Sequence, residues 1–183
     1  MSAHDDPTVT GGHMLSDHRV VLSLGSNLGD RLDNLQEAID ALFDAPGLTL
    51  RRVSGVYETA PWGGIEQDDF LNIVVVATTR LAPMTLLDRV LSIEESMRRE
   101  RVIRWGPRTL DIDIVFYEGV TSDDPVLSLP HPRAHERAFV LVPWAEVDPD
   151  AVLEPHGRVA DLAAVITDQV VTLRDDLALQ FPS

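Results

Sequence analysis

Short apolar runs alternate with helical stripes in a fixed order between Arg19 and Tyr117, and that order constrains the fold more than any other feature of the chain. Arg19 to Leu24 is a run of strand length that ends at Gly25-Ser-Asn-Leu-Gly-Asp30. Leu32, Leu35, Ile39, Leu42 and Phe43 then fall at helical spacing, so Arg31 to Phe43 reads as an amphipathic helix with Asp30 or Asn27 as its cap. Pro46-Gly47 ends it, and Leu48 to Tyr57 reads as a second strand. After the breaker-rich loop Glu58 to Gln67, the valine-dense run Phe70 to Thr79 reads as a third. Pro83 opens a second helix, carried by Leu86, Leu87, Val90, Leu91 and Ile93 to about Met97. Asp111 to Tyr117 is the last strand of the series. Strand, helix, strand, strand, helix, strand is the order of an α+β, ferredoxin-like βαββαβ fold: an antiparallel sheet with two helices on one face. Beyond Glu118 the chain continues as an extension, with a turn at Leu129-Pro-His-Pro132 and a short outer helix around Val159 to Ile166.

The length of 183 residues fits one domain. Residues 1–17 are polar and aperiodic and read as a disordered tail, leaving 18–183 as the single domain. The chain has no cysteine, which excludes a disulfide framework, a zinc-thiolate site and a thiol nucleophile. Neither a signal peptide nor an apolar run near the roughly 20 residues of a membrane span is visible, so the chain reads as a soluble, cytoplasmic monomer. A formal net charge of -15 argues against nucleic acid or anionic membrane as partners. All 15 basic residues are arginine, which excludes a P-loop lysine and a Schiff-base lysine. Any phosphate clamp must use guanidinium groups, backbone amides, helix N-termini or metal.

Five of those arginines, Arg98, Arg99, Arg101, Arg104 and Arg108, lie within eleven residues and lead directly into Asp111-Ile-Asp113. Gly106-Pro107 limits regular structure at the end of this cationic stretch. On a strand alternate residues share a face, so Asp111 and Asp113 project together, with Ile112, Ile114 and Phe116 on the other side. Their alpha carbons are then about 6.5 to 7 Å apart, which suits a pair of hard cations in phosphoryl chemistry. Mg2+ fits because it takes few carboxylates and fills its shell with water and phosphate oxygens. By itself Asp-x-Asp is a weak signal, equally the solvated face of an edge strand. Two like charges on one face nevertheless repel unless a cation lies between them, and an arginine cluster beside them suits the anion that carries it.

Taken together, Gly25 to Gly29, Tyr57 to Pro61, Phe70 to Asn72, Arg104 to Asp113, and Leu129 to Pro132 with Glu136 to Phe139 make the chain resemble the 6-hydroxymethyl-7,8-dihydropterin pyrophosphokinases of folate biosynthesis. The resemblance runs from about Val20 to Pro149. It implies a ferredoxin-like fold and transfer of a diphosphate from ATP to the pterin hydroxymethyl group with two Mg2+, releasing AMP. It implies that Asp111 and Asp113 hold the metal and, with Arg101 and Arg108, are catalytic. It further implies that Arg101, Arg108, His131 and Arg137 contact the triphosphate, with Arg99, Arg104, Trp105 and Ile114 also at the nucleotide. The pterin would lie between Phe70 and Phe139, its edge met by Asn72 and by Thr59, Ala60, Pro61 and Trp62. Arg98, Phe70 and Trp62 depart from the residues common in that family, which bears on loop dynamics and the pterin edge. Two other readings use the same residues: a nucleotide-sensing module without catalysis, and a Mg2+-dependent phosphohydrolase. The arginine-rich stretch from Arg98 to about Pro107 is expected to act as a lid over bound triphosphate.

Overall fold

The computed structural model describes residues 13–61, 67–100 and 110–181, without the side chains of 13–15, 99 and 100. In chain order its main elements are β1 (His13–Ser26), α1 (Arg31–Phe43), β2 (Leu48–Val53), β3 (Tyr57–Thr59), β4 (Phe70–Leu81), α2 (Pro83–Glu100) and β5 (Asp111–Tyr117). The hairpin β6 (Ser122–Asp124) and β7 (Leu127–Leu129) follows, then α3 (Ala138–Val147), the small pair β8 (Val152–Leu153) and β9 (Gly157–Arg158), α4 (Val159–Val165) and β10 (Val171–Leu173).

The main sheet is antiparallel in every pair. β1 lies between β4 and β5, and the far side of β4 carries β2 along one half and β3 along the other. That is the ferredoxin-like order, with β2 and β3 together filling the place of the one strand expected from Leu48 to Tyr57. The strand breaks at Ser54, whose hydroxyl accepts from Val74 N at 2.9 Å while its own N–H donates to Val74 O at 2.9 Å. Gly55 N is taken by the Glu146 carboxylate at 3.0 and 3.1 Å, which ends regular pairing there.

α1 has the predicted limits, because Asp30 caps it by accepting from Asp33 N at 3.1 Å. Its Leu35, Ala38, Ile39 and Leu42, with Leu86 and Val90 of α2, bury one sheet face built from Val20, Leu22, Leu24, Ile73, Val75, Ile112 and Ile114. The opposite face, Val21, Val74, Val76 and Val115, is covered by Val140, Leu141 and Trp144 of α3. Full burial of one such side chain contributes about 1.5 to 3 kcal/mol, so both layers are needed for one stable sheet. α4 packs outside α3, as the short outer helix was expected to.

Three expectations are corrected. β1 starts at His13, so residues 13–17 are strand rather than tail, and Asp17 pairs with Arg80 at 3.0 Å. α2 runs to Glu100, past Met97, because the arginines that follow continue its last turn. Phe116 does not share a face with Ile112 and Ile114. The β1–β5 register steps from Leu22↔Ile114 to Val21↔Phe116, a bulge at Val115, and Phe116 turns onto Trp144 with ring centroids 6.1 Å apart.

Candidate active site

The cleft-bearing end of the sheet is where β1 stops, β4 and β5 begin and β3 ends. Strand pairing places Gly25 opposite both Asn72 and Asp111, and Ser23 opposite Asp113. Thr59 faces Phe70 across the next pair. These side chains lie on the α3 face, beyond the point where α3 covers it, and line a cleft of about 340 Å3. Ala60, Pro61 and Gln67 form one wall, and Arg133, Glu136, Arg137 and Phe139 the other.

One end of the cleft is ionic. Asp111 and Asp113 stand two residues apart on β5, and between them the N–H of Ile112 donates to Glu94 Oε1 on α2 at 3.1 Å. Glu94 thereby fixes the start of an edge strand that carries two like charges. The Asp113 carboxylate is 43% exposed and 3.8 Å from the Arg137 guanidinium, which is 24% exposed. His131 stands behind this pair. Its main-chain N–H donates to Val115 O at 2.8 Å, and its ring Nδ1 accepts from Arg133 N at 3.2 Å. Burial holds its pKa below the ordinary value, Asp113 pulls it up, and Arg137 and Arg133 press it further down. A neutral ring with Nδ1 accepting carries its proton on Nε2, which makes that nitrogen a donor.

The other end carries two aromatic side chains and one polar edge. Phe70 and Phe139 both line it, and the Arg137 guanidinium lies 5.6 Å from the Phe139 ring centroid. Asn72, only 3% exposed, donates to Thr59 Oγ1 at 2.7 Å. Buried Asn27 holds Gln67 Oε1 at 3.0 Å. One cleft therefore joins a pair of carboxylates suited to a cation to a slot suited to an aromatic ring.

The family model of the 7,8-dihydro-6-hydroxymethylpterin-pyrophosphokinases matches residues 21–149. The chain belongs to this family. A pyrophosphokinase relative from Methylorubrum extorquens is 48% identical over 135 residues, 74% of this chain and 85% of that one. One from Mycobacterium tuberculosis is 43% identical over 175 residues, 90% of this chain and 91% of that one. Among solved structures, Plasmodium falciparum HPPK-DHPS with pterin and p-hydroxybenzoate superposes with a TM-score of 0.63 at 17% identity. That match covers 81% of this chain and 43% of the Plasmodium chain, a likeness of fold.

Of the residues expected from the pyrophosphokinase resemblance, Asp111, Asp113, Arg137, Thr59, Ala60, Pro61, Phe70, Asn72 and Phe139 line one cleft. His131 stands next to that lining rather than in it. The Ile114 side chain is 5% exposed in the core under α1 and α2, on the opposite sheet face, so a nucleotide contact there would use its main chain. Trp62, Arg101, Arg104, Trp105 and Arg108 lie outside the described residues, as do the side chain of Arg99 and most of the expected lid. Sequence reasoning missed Ser23, Gly25, Gln67, Arg133 and Glu136 as cleft residues. Gly25 has a signal in the sequence, a glycine at the end of a buried strand.

Proposed function

We infer that this chain carries out its family's reaction in the cleft just described: a diphosphate passes from ATP to the hydroxymethyl group of 6-hydroxymethyl-7,8-dihydropterin, giving the pterin diphosphate and AMP. The observation that carries the assignment of residues is the junction of Asp111 and Asp113 with Phe70, Asn72 and Phe139 in one cavity. The site is built from one chain, so the reading requires no second copy. It takes the chain from β1 onward as one catalytic domain in the cytoplasm, and among the described residues no helix is long and apolar enough to cross a membrane.

The donor set fits Mg2+. Two carboxylates share a face at one end of the cleft, and among the described residues no group of three metal-ligating side chains forms a cage. Such a site leaves the rest of an octahedral shell to water and phosphate oxygens. Two Mg2+ on Asp111 and Asp113 would supply neutralisation of the phosphate charge and a lower pKa for the attacking hydroxyl.

The rest of catalysis falls to positioning and electrostatics. The pterin hydroxyl must approach the β-phosphorus in line while AMP leaves opposite. Phe70 and Phe139 hold the ring by stacking, and Asn72 and Thr59 fix its rotation through its polar edge. Arg137, beside Asp113, presents a planar guanidinium at the border between carboxylates and phosphates, where a fork can take two oxygens. His131 donates from Nε2 without adding a charge. Arg101 and Arg108 complete the clamp, with Arg99, Arg104 and Trp105 at the nucleotide.

Incubating the protein with ATP, Mg2+ and 6-hydroxymethyl-7,8-dihydropterin tests the reading. AMP with pterin diphosphate is expected. Phosphate release independent of pterin would make the chain a phosphohydrolase, and no turnover a sensing module. Asp111→Ala and Asp113→Ala should each abolish turnover in a folded protein, since removing one of two like charges does not destabilise the free sheet. Turnover kept by either variant at saturating Mg2+ would sink the metal assignment.

A further inference from the structure

The C-terminal part of the extension, after α4, reaches back to the cleft wall through Gln169. Gln169 precedes β10, and its side-chain amide makes two hydrogen bonds to the main chain on either side of Arg137. Its Oε1 accepts from Ala138 N at 3.0 Å, and its Nε2 donates to Glu136 O at 2.8 Å. The amide thus occupies the place of a neighbouring strand against residue 137. Ala138 N is also one of the first donors of α3, which no capping side chain on Arg137 satisfies. Arg137's own N–H donates to Ala134 O at 3.2 Å, and its carbonyl accepts from Val140 and Leu141. With Gln169 in place the main chain at residue 137 is held on every side, and only the side-chain torsions of Arg137 stay free.

The other end of the same strap is fastened to the opposite wall. Val171 pairs with Thr59 and Leu173 with Tyr57, and Arg174 N donates to Val56 O at 2.8 Å. Arg174 also shares the Glu58 carboxylate with Arg31, at 3.1 and 2.8 Å. Thr59 belongs to one wall of the cleft and Arg137 to the other, so the segment from Gln169 to Arg174 bridges them.

We propose that Gln169 is a positioning residue of the active site, setting where the Arg137 guanidinium stands relative to Asp113 by clamping the main chain at Glu136 and Ala138. Gln169 touches no substrate. Its effect runs through Arg137, and the inference rests on the diphosphate-transfer reading above.

A cycle of four proteins tests it: wild type, Gln169→Ala, Arg137→Ala and the double variant, each assayed for AMP and pterin diphosphate and each melted. Gln169→Ala should lower kcat about tenfold, the scale on which sub-ångström misplacement acts. The KM for pterin should stay within about twofold and the melting curve should stay cooperative. In the Arg137→Ala background the same substitution should leave kcat unchanged. Gln169→Glu, which keeps the acceptor for Ala138 N, should recover part of the loss. An active wild type with an unaffected Gln169→Ala overturns this inference alone, as does a full additional loss on top of Arg137→Ala. An inactive wild type overturns the reading and this inference with it.

Discussion

Gly25→Ala separates the needs of the fold from those of the site. Gly25 lies within β1, between Asp111 on one neighbouring strand and Asn72 on the other. A Cβ there would come 3.0 Å from Asn72 Oδ1 and 3.5 Å from Phe70 Cδ1, so the asparagine must give by a few tenths of an ångström. Asn72 has little room to do so, being buried and held to Thr59 at 2.7 Å. Loosening that bond costs about 0.5 to 1.5 kcal/mol. Alanine offsets most of it, because it lowers the freedom of the unfolded chain by about 0.4 to 1 kcal/mol. Stability should therefore change by less than about 1 kcal/mol. Ligand binding has no such compensation, since the amide proposed to read the pterin edge is displaced and a methyl enters the floor beside Phe70. Pterin affinity should fall by about 1 to 2 kcal/mol, roughly five- to thirtyfold in Kd. Titration calorimetry with 6-hydroxymethylpterin, a non-hydrolysable ATP analogue and Mg2+, beside denaturant unfolding, measures both. An unchanged pterin Kd, or a loss of stability as large as the loss of affinity, would refute the placement of Asn72 at the pterin edge.

Tyr57→Phe removes a hydroxyl that donates to Glu146 Oε1 at 2.5 Å, and should cost about 1.5 to 3 kcal/mol in urea unfolding, the range for a bond to a charged acceptor. Burial and then Glu146 hold the Tyr57 pKa far above its usual value, so its contribution is present below about pH 10 and is lost as pH rises beyond it. Wild-type stability should drop above that pH and the phenylalanine variant should drop less, with unfolding curves between pH 8 and 11 as the check. Phe139→Ala should weaken pterin binding by about 1 to 3 kcal/mol and leave the ATP analogue nearly untouched. Equal losses for both ligands in calorimetry would mean that the ring supports the core instead.

Elements with a local cause were legible in the sequence. α1 has a cap and a stripe, and Asp111–Tyr117 has its limits written in β-formers between a breaker and a glycine turn. α3 was not seen, because Ala-Phe-Val-Leu-Val-Pro-Trp is apolar on all sides and carries Pro143, so its periodicity does not distinguish strand from helix. Buried between the sheet and α4, it needs no polar face. Gln169 left no trace in any pattern, since what it recognises is main chain thirty residues away. Arg133 and Glu136 reach the cleft through a single 3-10 turn, Ala134–Glu136, that no spacing rule announces.

The bulge at Val115 explains how one sheet face can be both core and site. Pairing builds three rows across β4, β1 and β5: Val76, Val21 and Phe116, then Val74, Ser23 and Asp113, then Asn72, Gly25 and Asp111. The first row is apolar and lies under α3, and each step toward the strand ends replaces apolar groups by small or charged ones. Within β5 strict alternation from Asp113 would send Val115 to the α3 side and Phe116 to the α1 side. The extra residue instead keeps both Val115 and Phe116 under α3 and turns Tyr117 to the other face, where its hydroxyl donates to Leu81 O at 2.5 Å. A one-residue slip without the bulge would put either the carboxylates into the α1/α2 core or Phe116 away from Trp144. The dry half of that face and its ionic half are therefore compatible on one strand only because the register changes between them.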